Sequence, residues 1–243
     1  VRSLWDAGEA GNAIFLADYA INPLGVKSDS DIAGVVERWL RSAEKYSDTL
    51  VIACNTLSVR YRKQPVSKAP LLGPAHVVSM SDCFEALVRA EKPRLDNKKI
   101  LVVGTRYTAA ENLYSDILRA AIPGARIKTI AATELERVIA RFEPWQSADE
   151  SVLTRELSLA LKDSDVAVLA CTCFPIVMDR LKSLFPDVTF LDPGAYCAGL
   201  LPKHTATPDK RLRIKVTGDV VSSKRAVDFA ASHLDTGDIE CCT

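Results

Sequence analysis

The chain has no apolar run approaching the roughly 20 residues a membrane span requires, and its amino end has no signal-peptide layout. It also lacks net charge: 31 basic residues balance 31 acidic ones, so no summed field draws it to nucleic acid or an anionic membrane. Its seven cysteines fall in no metal-finger or knottin spacing. Without a secretory signal, reduced thiols and a cytoplasmic setting are expected. Cys171-x-Cys173 could supply two thiolates to a metal, but no second Cys/His pair at ligand spacing supports it, and no metal is expected. Histidine is scarce. Of His76, His204 and His233, only His76, in Gly-Pro-Ala-His, lies in a segment that could approach a site. What these absences leave is a chain of 243 residues, large enough for a substantial core, taking a small neutral or zwitterionic ligand.

Two stretches stand out. Asp48 to Thr56 (D-T-L-V-I-A-C-N-T) and Asp165 to Pro175 (D-V-A-V-L-A-C-T-C-F-P) are apolar runs of strand length ending in Cys and small polar residues. That is the pattern of a buried parallel strand delivering a thiol at its carboxyl end, where open α/β sheets hold ligands. Cys54 and Cys171 are thus the first candidates for chemistry, as half-sites facing one substrate. Cys83 and Cys197 read as small buried hydrophobes, and the adjacent Cys241 and Cys242 as a tail without a role.

Around these runs, strands and helices alternate. Strands are expected at Val1 to Trp5, Ala13 to Ala17, Pro70 to Val78, Lys99 to Val103, Ala125 to Ala131, Val188 to Leu191 and Leu212 to Val216. Helices are expected at Ser28 to Lys45, Ser81 to Ala90, Ala109 to Ala121, Thr133 to Arg141, Ser151 to Lys162, Ile176 to Leu184 and Ser222 to Leu234, and one starts near Ser58. The first two strands are too close for a parallel crossover. Either they are not parallel neighbours, or a helix-length segment between about Gly8 and Ala13 is absent. The fold class is therefore α/β, with two similar lobes, each a mainly parallel sheet flanked by helices, and a site in the cleft between them. Residues 1–93 and 195–243 are expected to form the first lobe, and 94–194 the second, with the boundary in the polar, turn-rich Lys92 to Lys99.

The motifs A-C-N-T at 53–56, G-T-x-x-T at 104–108, A-C-T-x-F-P at 170–175 and V-T-G-D at 216–219 resemble the glutamate racemase family of the aspartate/glutamate racemase superfamily. Asp6-Ala7-Gly8 stands where that family has Asp-Ser-Gly, and Pro23-Leu24-Gly25 where it has Pro-Tyr-Gly. The resemblance implies a racemase or epimerase that needs no cofactor and acts on a small acidic amino acid. One thiolate removes the α-proton while a thiol on the opposite face returns one. Carried over position by position, Cys54 and Cys171 are the acid/base pair, with Asp6 beside Cys54. Asn55, Thr56 and Thr172 hold the α-carboxylate and amine, Ala7 replaces a substrate-binding serine, and Leu24 replaces a tyrosine on the substrate rim. Backbone groups near Pro23 and Gly25 hold the distal carboxylate. A homodimer is compatible with this reading; nucleic acid and membrane are not expected as partners.

The chemistry fits the residues themselves. A thiol's ordinary pKa can be lowered at a helix amino-terminus, and both Cys runs lead into expected helices. Cys173 stands where the family has His and becomes the candidate proton partner of Cys171. It cannot supply an imidazolium's positive charge, so Cys171 is expected to be the less ionised thiol and the two faces unequal. Two alternatives remain: a lyase or isomerase of the superfamily (a decarboxylase, or a cis-trans isomerase of a small diacid), and a ligand-binding protein on the same scaffold.

Overall fold

The computed structural model describes residues 12–18, 21–63, 74, 76–141, 143, 145–202, 211–217, 224, 228 and 239–242. In chain order the strands are β1 (Asn12–Asp18), β2 (Thr49–Ile52), β3 (His76–Ser79), β4 (Lys99–Gly104), β5 (Arg126–Ala131), β6 (Val166–Ala170), β7 (Thr189–Leu191), β8 (Arg211–Thr217) and β9 (Ile239–Cys242). The helices are α1 (Asp29–Ala43), α2 (Asn55–Lys63), α3 (Met80–Leu95), α4 (Arg106–Ala110), α5 (Leu113–Ala121), α6 (Thr133–Ile139), α7 (Ser147–Leu161) and α8 (Met178–Leu184). The architecture is the expected two-part α/β fold, with parallel sheets flanked by helices.

The largest sheet runs β5-β4-β6-β7, every pairing parallel. Its centre is made by sequences with almost no polar residue: Ile100 to Gly104 and all five residues of β6 are buried. Alternate side chains enter opposite faces. Ile100, Val102, Val166 and Val168 pack with Ile32 of α1, Val59 of α2, Phe84, Leu87 and Leu95 of α3, and Leu118 of α5. Leu101, Val103, Ala167 and Leu169 pack instead with Leu135 of α6, Leu153 and Leu157 of α7, and Leu181 of α8. Helices thus cover both faces, and the carboxyl ends of β4 and β6 emerge side by side, Gly104 opposite Ala170.

The remaining strands form a pair, β2-β3, and a triplet, β1-β8-β9, all parallel. β8 lies beside β1 from Asn12↔Arg211 to Asp18↔Thr217. Cys241 and Cys242, read from sequence as a tail, lie instead in the backbone of β9 against Ile214 and Lys215. The expected strand at Val1 to Trp5, the turn after it and the connection up to Asn12 lie outside the described residues. So do the turn at Gly218 and most of the helix expected at Ser222 to Leu234; of that stretch Lys224 and Asp228 are helical and joined by a 2.7 Å ion pair.

Local chemistry explains where helices begin. Ser28 caps α1 by accepting the N–H of Asp31 (3.2 Å) and turns its Ile32, Val35, Val36 and Leu40 stripe inward. Ser79 and Asp82 form a reciprocal capping box at the start of α3. That helix runs through Pro93, past the end expected at Ala90, because a proline in the last turn removes only one hydrogen bond. The single helix expected over Ala109 to Ala121 is two, α4 and α5, divided at Asn112, whose φ of 57° is left-handed. Helix α2 starts earlier than expected, directly after Cys54.

Ser58 joins three of these elements. Its Oγ donates to the Ile52 carbonyl at the end of β2 (3.0 Å) and accepts the Met80 N–H at the start of α3 (2.9 Å), while its own N–H bonds the Cys54 carbonyl (2.9 Å). The hydroxyl is fully buried, so no water replaces it. Ser58→Ala is expected to lower unfolding stability by about 2 kcal/mol, the cost of two stranded backbone groups. Urea titration checks this; an unchanged midpoint would show that the hydroxyl does not hold the Cys54 turn.

Candidate active site

Cys54 sits just past the carboxyl end of β2, at the position preceding α2, where the first helical N–H groups have no partner within the helix. Its sulfur accepts two of them, from Thr56 and Leu57. These bonds favour the thiolate, but packing wins. The residue keeps some accessible surface, yet the atoms crowding its sulfur strip its hydration. With Cys173 and Glu136 also opposing ionisation, the thiol is pushed up to about 11. The expectation that a helix amino-terminus would lower this pKa is thus corrected, because desolvation exceeds the helix contribution.

Cys171 follows β6 in the same way, and is buried. The chain turns tightly there: Phe174 N–H bonds the Cys171 carbonyl (3.0 Å) and Ile176 N–H bonds that of Cys173 (3.1 Å). The turn brings the Cys171 and Cys173 side chains into a mutual hydrogen bond. Such a bond favours one thiolate and opposes two. Cys171, as the S–H donor, is held above the usual thiol range, and Cys173, as the acceptor, below it. Cys171 is therefore the more protonated of this pair, and its partner is an ionisable thiol rather than a bystander.

The polar residues around these turns are arranged by the packing. Asn55 is buried, its Oδ1 accepting the Tyr114 hydroxyl (2.6 Å), and Tyr114 stacks on Phe84 with ring centroids 4.3 Å apart. The hydroxyls of Thr56 and Thr105 lie 3.0 Å apart, and Thr105 in turn donates to Thr108 (3.0 Å) while its Oγ1 caps α4. The A-C-N-T and G-T-x-x-T motifs, distant in sequence, thus meet in one hydroxyl chain. Thr172 is half-buried in the Cys171 turn. Pro23 follows a cis peptide bond, Leu24 is half-buried, and Gly25 is buried in the short 3-10 turn Leu24–Val26.

Gly25 meets a residue the sequence did not single out. A Cβ added to it would lie 2.7 Å from Thr105 Cβ and 2.8 Å from Glu136 Oε2, and its N–H donates to the Glu136 carboxylate. Glu136, on α6, is only 8% exposed, and burial, with Glu156 nearby, pushes its carboxyl up to about 7. It also opposes ionisation of Cys54, Cys171 and Cys173, so all three thiols share its surroundings. Its one signal in the sequence is an acid on the helix face of Ala132, Ile139 and Ala140, where an apolar residue is expected.

Other candidates fall elsewhere. Asp6, Ala7, His204 and His233 lie outside the described residues. His76, whose segment could have approached the site, is exposed at the amino end of β3, paired with Thr49, whereas Cys54 lies beyond the opposite end of that pair. Cys83 and Cys197 are buried and hydrogen-bonded to each other. Among the described residues, no group of three or more His, Cys, Asp or Glu is placed to hold a metal ion, and no helix is long and apolar enough to cross a membrane.

A family model for Asp/Glu/Hydantoin racemase matches residues 7–201. Glutamate racemase from Sphingopyxis alaskensis is 32% identical over 196 residues, covering 75% of this chain and 68% of that protein. Glutamate racemase 3 from Caldanaerobacter subterraneus is 27% identical over 187 residues, covering 75% of this chain; the match spans 65% of that protein's length, just under two thirds. Among solved structures, glutamate racemase from Campylobacter jejuni superposes with a TM-score of 0.75 at 23% identity, covering 95% of this chain and 92% of the other. The Francisella tularensis enzyme in complex with D-glutamate gives 0.76 at 19%, covering 100% and 91%. At such identities the superpositions establish the fold alone.

The thiol environment makes a direct prediction. Alkylation of Cys54 by iodoacetamide, followed site by site by peptide mass spectrometry, is expected to rise about tenfold per pH unit between about pH 7 and 10, because the reactive thiolate remains a minor species throughout. A plateau setting in near pH 9 would show an ordinary thiol and refute the desolvation account.

Proposed function

Because the chain belongs to the Asp/Glu/Hydantoin racemase family, we propose that it is a cofactor-independent amino-acid racemase or epimerase acting on a small acidic amino acid, with Cys54 and Cys171 as opposed acid and base. The observation that carries this reading is the shared setting of the two thiols: each follows the carboxyl end of a parallel strand, and both respond to Glu136 and Cys173. Inverting a tetrahedral carbon by proton transfer needs an acceptor on one face and a donor on the other.

In the proposed reaction the Cα–H bond breaks toward a thiolate, and the bonding pair stays on carbon, spreading into the α-carboxylate. The opposite thiol then protonates the far face. We assign Asn55, Thr56 and Thr172 to holding the α-carboxylate and amine as charge builds there. Both acid/base thiols start mainly protonated, and the proposal gives each a route to its thiolate. Cys171 passes its proton to Cys173 along their hydrogen bond, so Cys173 takes the part of proton partner. At Cys54 the proton leaves to solvent as the substrate's ammonium group brings a positive charge to a region where, among the described residues, Cys173 and Glu136 oppose ionisation. Asp6 and Ala7 belong to the proposed Cys54 side, and Pro23, Leu24 and Gly25 to the side-chain end. We also place the lobes at residues 1–93 with 195–243, and at 94–194, which is supported by the return of β8 to β1 and by the self-contained β4 to β7 sheet.

Each pure enantiomer of glutamate and aspartate, incubated in deuterated buffer, is expected to gain deuterium at Cα and lose optical purity. Racemisation should fall at least about 100-fold in Cys54→Ala and in Cys171→Ala, the scale of one general acid/base group, with each variant retaining exchange of the opposite hand. Loss of both hands in both variants would contradict one thiol per face, and absence of exchange from any amino acid would refute the racemase reading.

A second outcome concerns Cys173. The hand deprotonated by Cys54 is expected to exchange faster than its mirror image, and Cys173→His to narrow the gap. Cys173→Ala should widen it, by removing the acceptor for the Cys171 proton. Equal rates for both hands, unmoved by either substitution, would show that Cys173 has no part in proton transfer.

A further inference from the structure

Gly25 carries a backbone N–H that already has an acceptor. The Glu136 carboxylate takes it, and the fit is close: a methyl group on Gly25 would touch Glu136 Oε1 at 3.0 Å and Oε2 at 2.8 Å. A negatively charged substrate group arriving at the same N–H meets a carboxylate already there. Two carboxylates cannot share one donor in a desolvated place while both are ionised.

The groups facing Glu136 leave few ways to relieve this. From the 3-10 turn comes the Gly25 N–H, and from the β4 carboxyl end the uncharged Thr105. From the strand-end turns come Cys54, Cys171 and Cys173, all of which become anionic when they ionise. From α7 comes Glu156, itself fixed by the N–H groups of Glu134 (3.0 Å) and Leu135 (2.8 Å). Among these groups a proton on Glu136 is the direct way to remove one negative charge.

We propose that Glu136 is a specificity-determining residue of this site: its carboxyl group holds the Gly25 N–H and admits an acidic side chain only in its protonated form, so that binding a dicarboxylic amino acid takes up a proton. The inference rests on the racemase reading above and extends it to the charge of the side-chain end. When Glu136 is ionised the same place takes an uncharged side chain, such as an amide, whose N–H groups can bond the carboxylate. Because burial places the carboxyl of the free protein near 7, the switch falls where acidic and amide side chains are distinguished by pH. The sign is fixed: raising the pH empties the protonated form, and the apparent affinity for an acidic amino acid falls with it.

The test measures KM for glutamate and for glutamine between about pH 6 and 8.5, with deuterium exchange at Cα as the activity. KM for glutamate is expected to rise toward about tenfold per pH unit above about pH 7, as required when the competent fraction shrinks, while KM for glutamine stays nearly flat. In Glu136→Gln the glutamate KM should lose its pH dependence, whatever happens to kcat. A direct reading in the unmodified protein avoids reliance on the variant: titration calorimetry of glutamate at about pH 8, in two buffers of different ionisation enthalpy, should report uptake of close to one proton per site. Robust exchange with a pH-independent glutamate KM and no proton uptake would overturn the role of Glu136 while leaving the racemase reading intact. Binding of glutamate with proton uptake but no exchange at any pH would do the reverse.

Discussion

Competition between solvation and helix-end hydrogen bonding at the thiols governs this structure. A strand that ends in Cys and turns at once into a helix presents its sulfur to N–H groups with no partner inside the helix. In water that arrangement would favour the thiolate. Here the strands lie in sheets covered by helices, the sulfurs are crowded, and loss of hydration outweighs the two N–H bonds to Cys54. The packing that aims the thiols therefore also holds their protons on. Ser58 gives the same turn its rigidity from behind, through buried bonds to β2 and α3, so position and protonation have a common source.

The fold was legible because its core is written in runs that admit one solution. Ile100 to Val103 and Val166 to Ala170 have no polar face, which in a strand means cover on both sides, and the alternating residues divide between two helical layers as that demands. Helix ends were less legible. Leu113, Ile117 and Leu118 suggest one helix back to Ala109, and nothing in their spacing says that Asn112 adopts a left-handed φ and restarts it. The early start of α2 was hidden because Cys54 and Asn55 do not look like a helix beginning; the carbonyl of one and the buried amide of the other are fixed by Ser58 and Tyr114.

The site was legible in its thiols and not in its charges. Strand-end position is a local property, and it located Cys54 and Cys171. A pKa is not local. The upward displacement of Cys54 comes from atoms brought by other segments, and periodicity within one segment says nothing about them. Glu136 is the clearest case. In sequence it is one charged residue among Glu134, Glu136 and Arg137, and only the fold shows that Glu134 pairs outward with Arg137 while Glu136 turns in toward Gly25.

These features together amount to a site that counts protons. Cys171 and Cys173 share a proton across one hydrogen bond, Cys54 keeps its own well above neutral pH, and Glu136 lies near the middle of the physiological range. Apart from the Cys171 bond that favours the Cys173 thiolate, these groups oppose one another's ionisation, because all of them are acids and they are crowded together. A site built this way is poor at holding negative charge until something positive enters. An amino acid arrives with an ammonium group, and on the proposed reading that charge is what permits a second thiolate. The substrate then completes the electrostatics of its own reaction: the protein supplies geometry and withheld protons, and Cys54 and Cys171 stay largely unreactive toward other electrophiles while the site is empty.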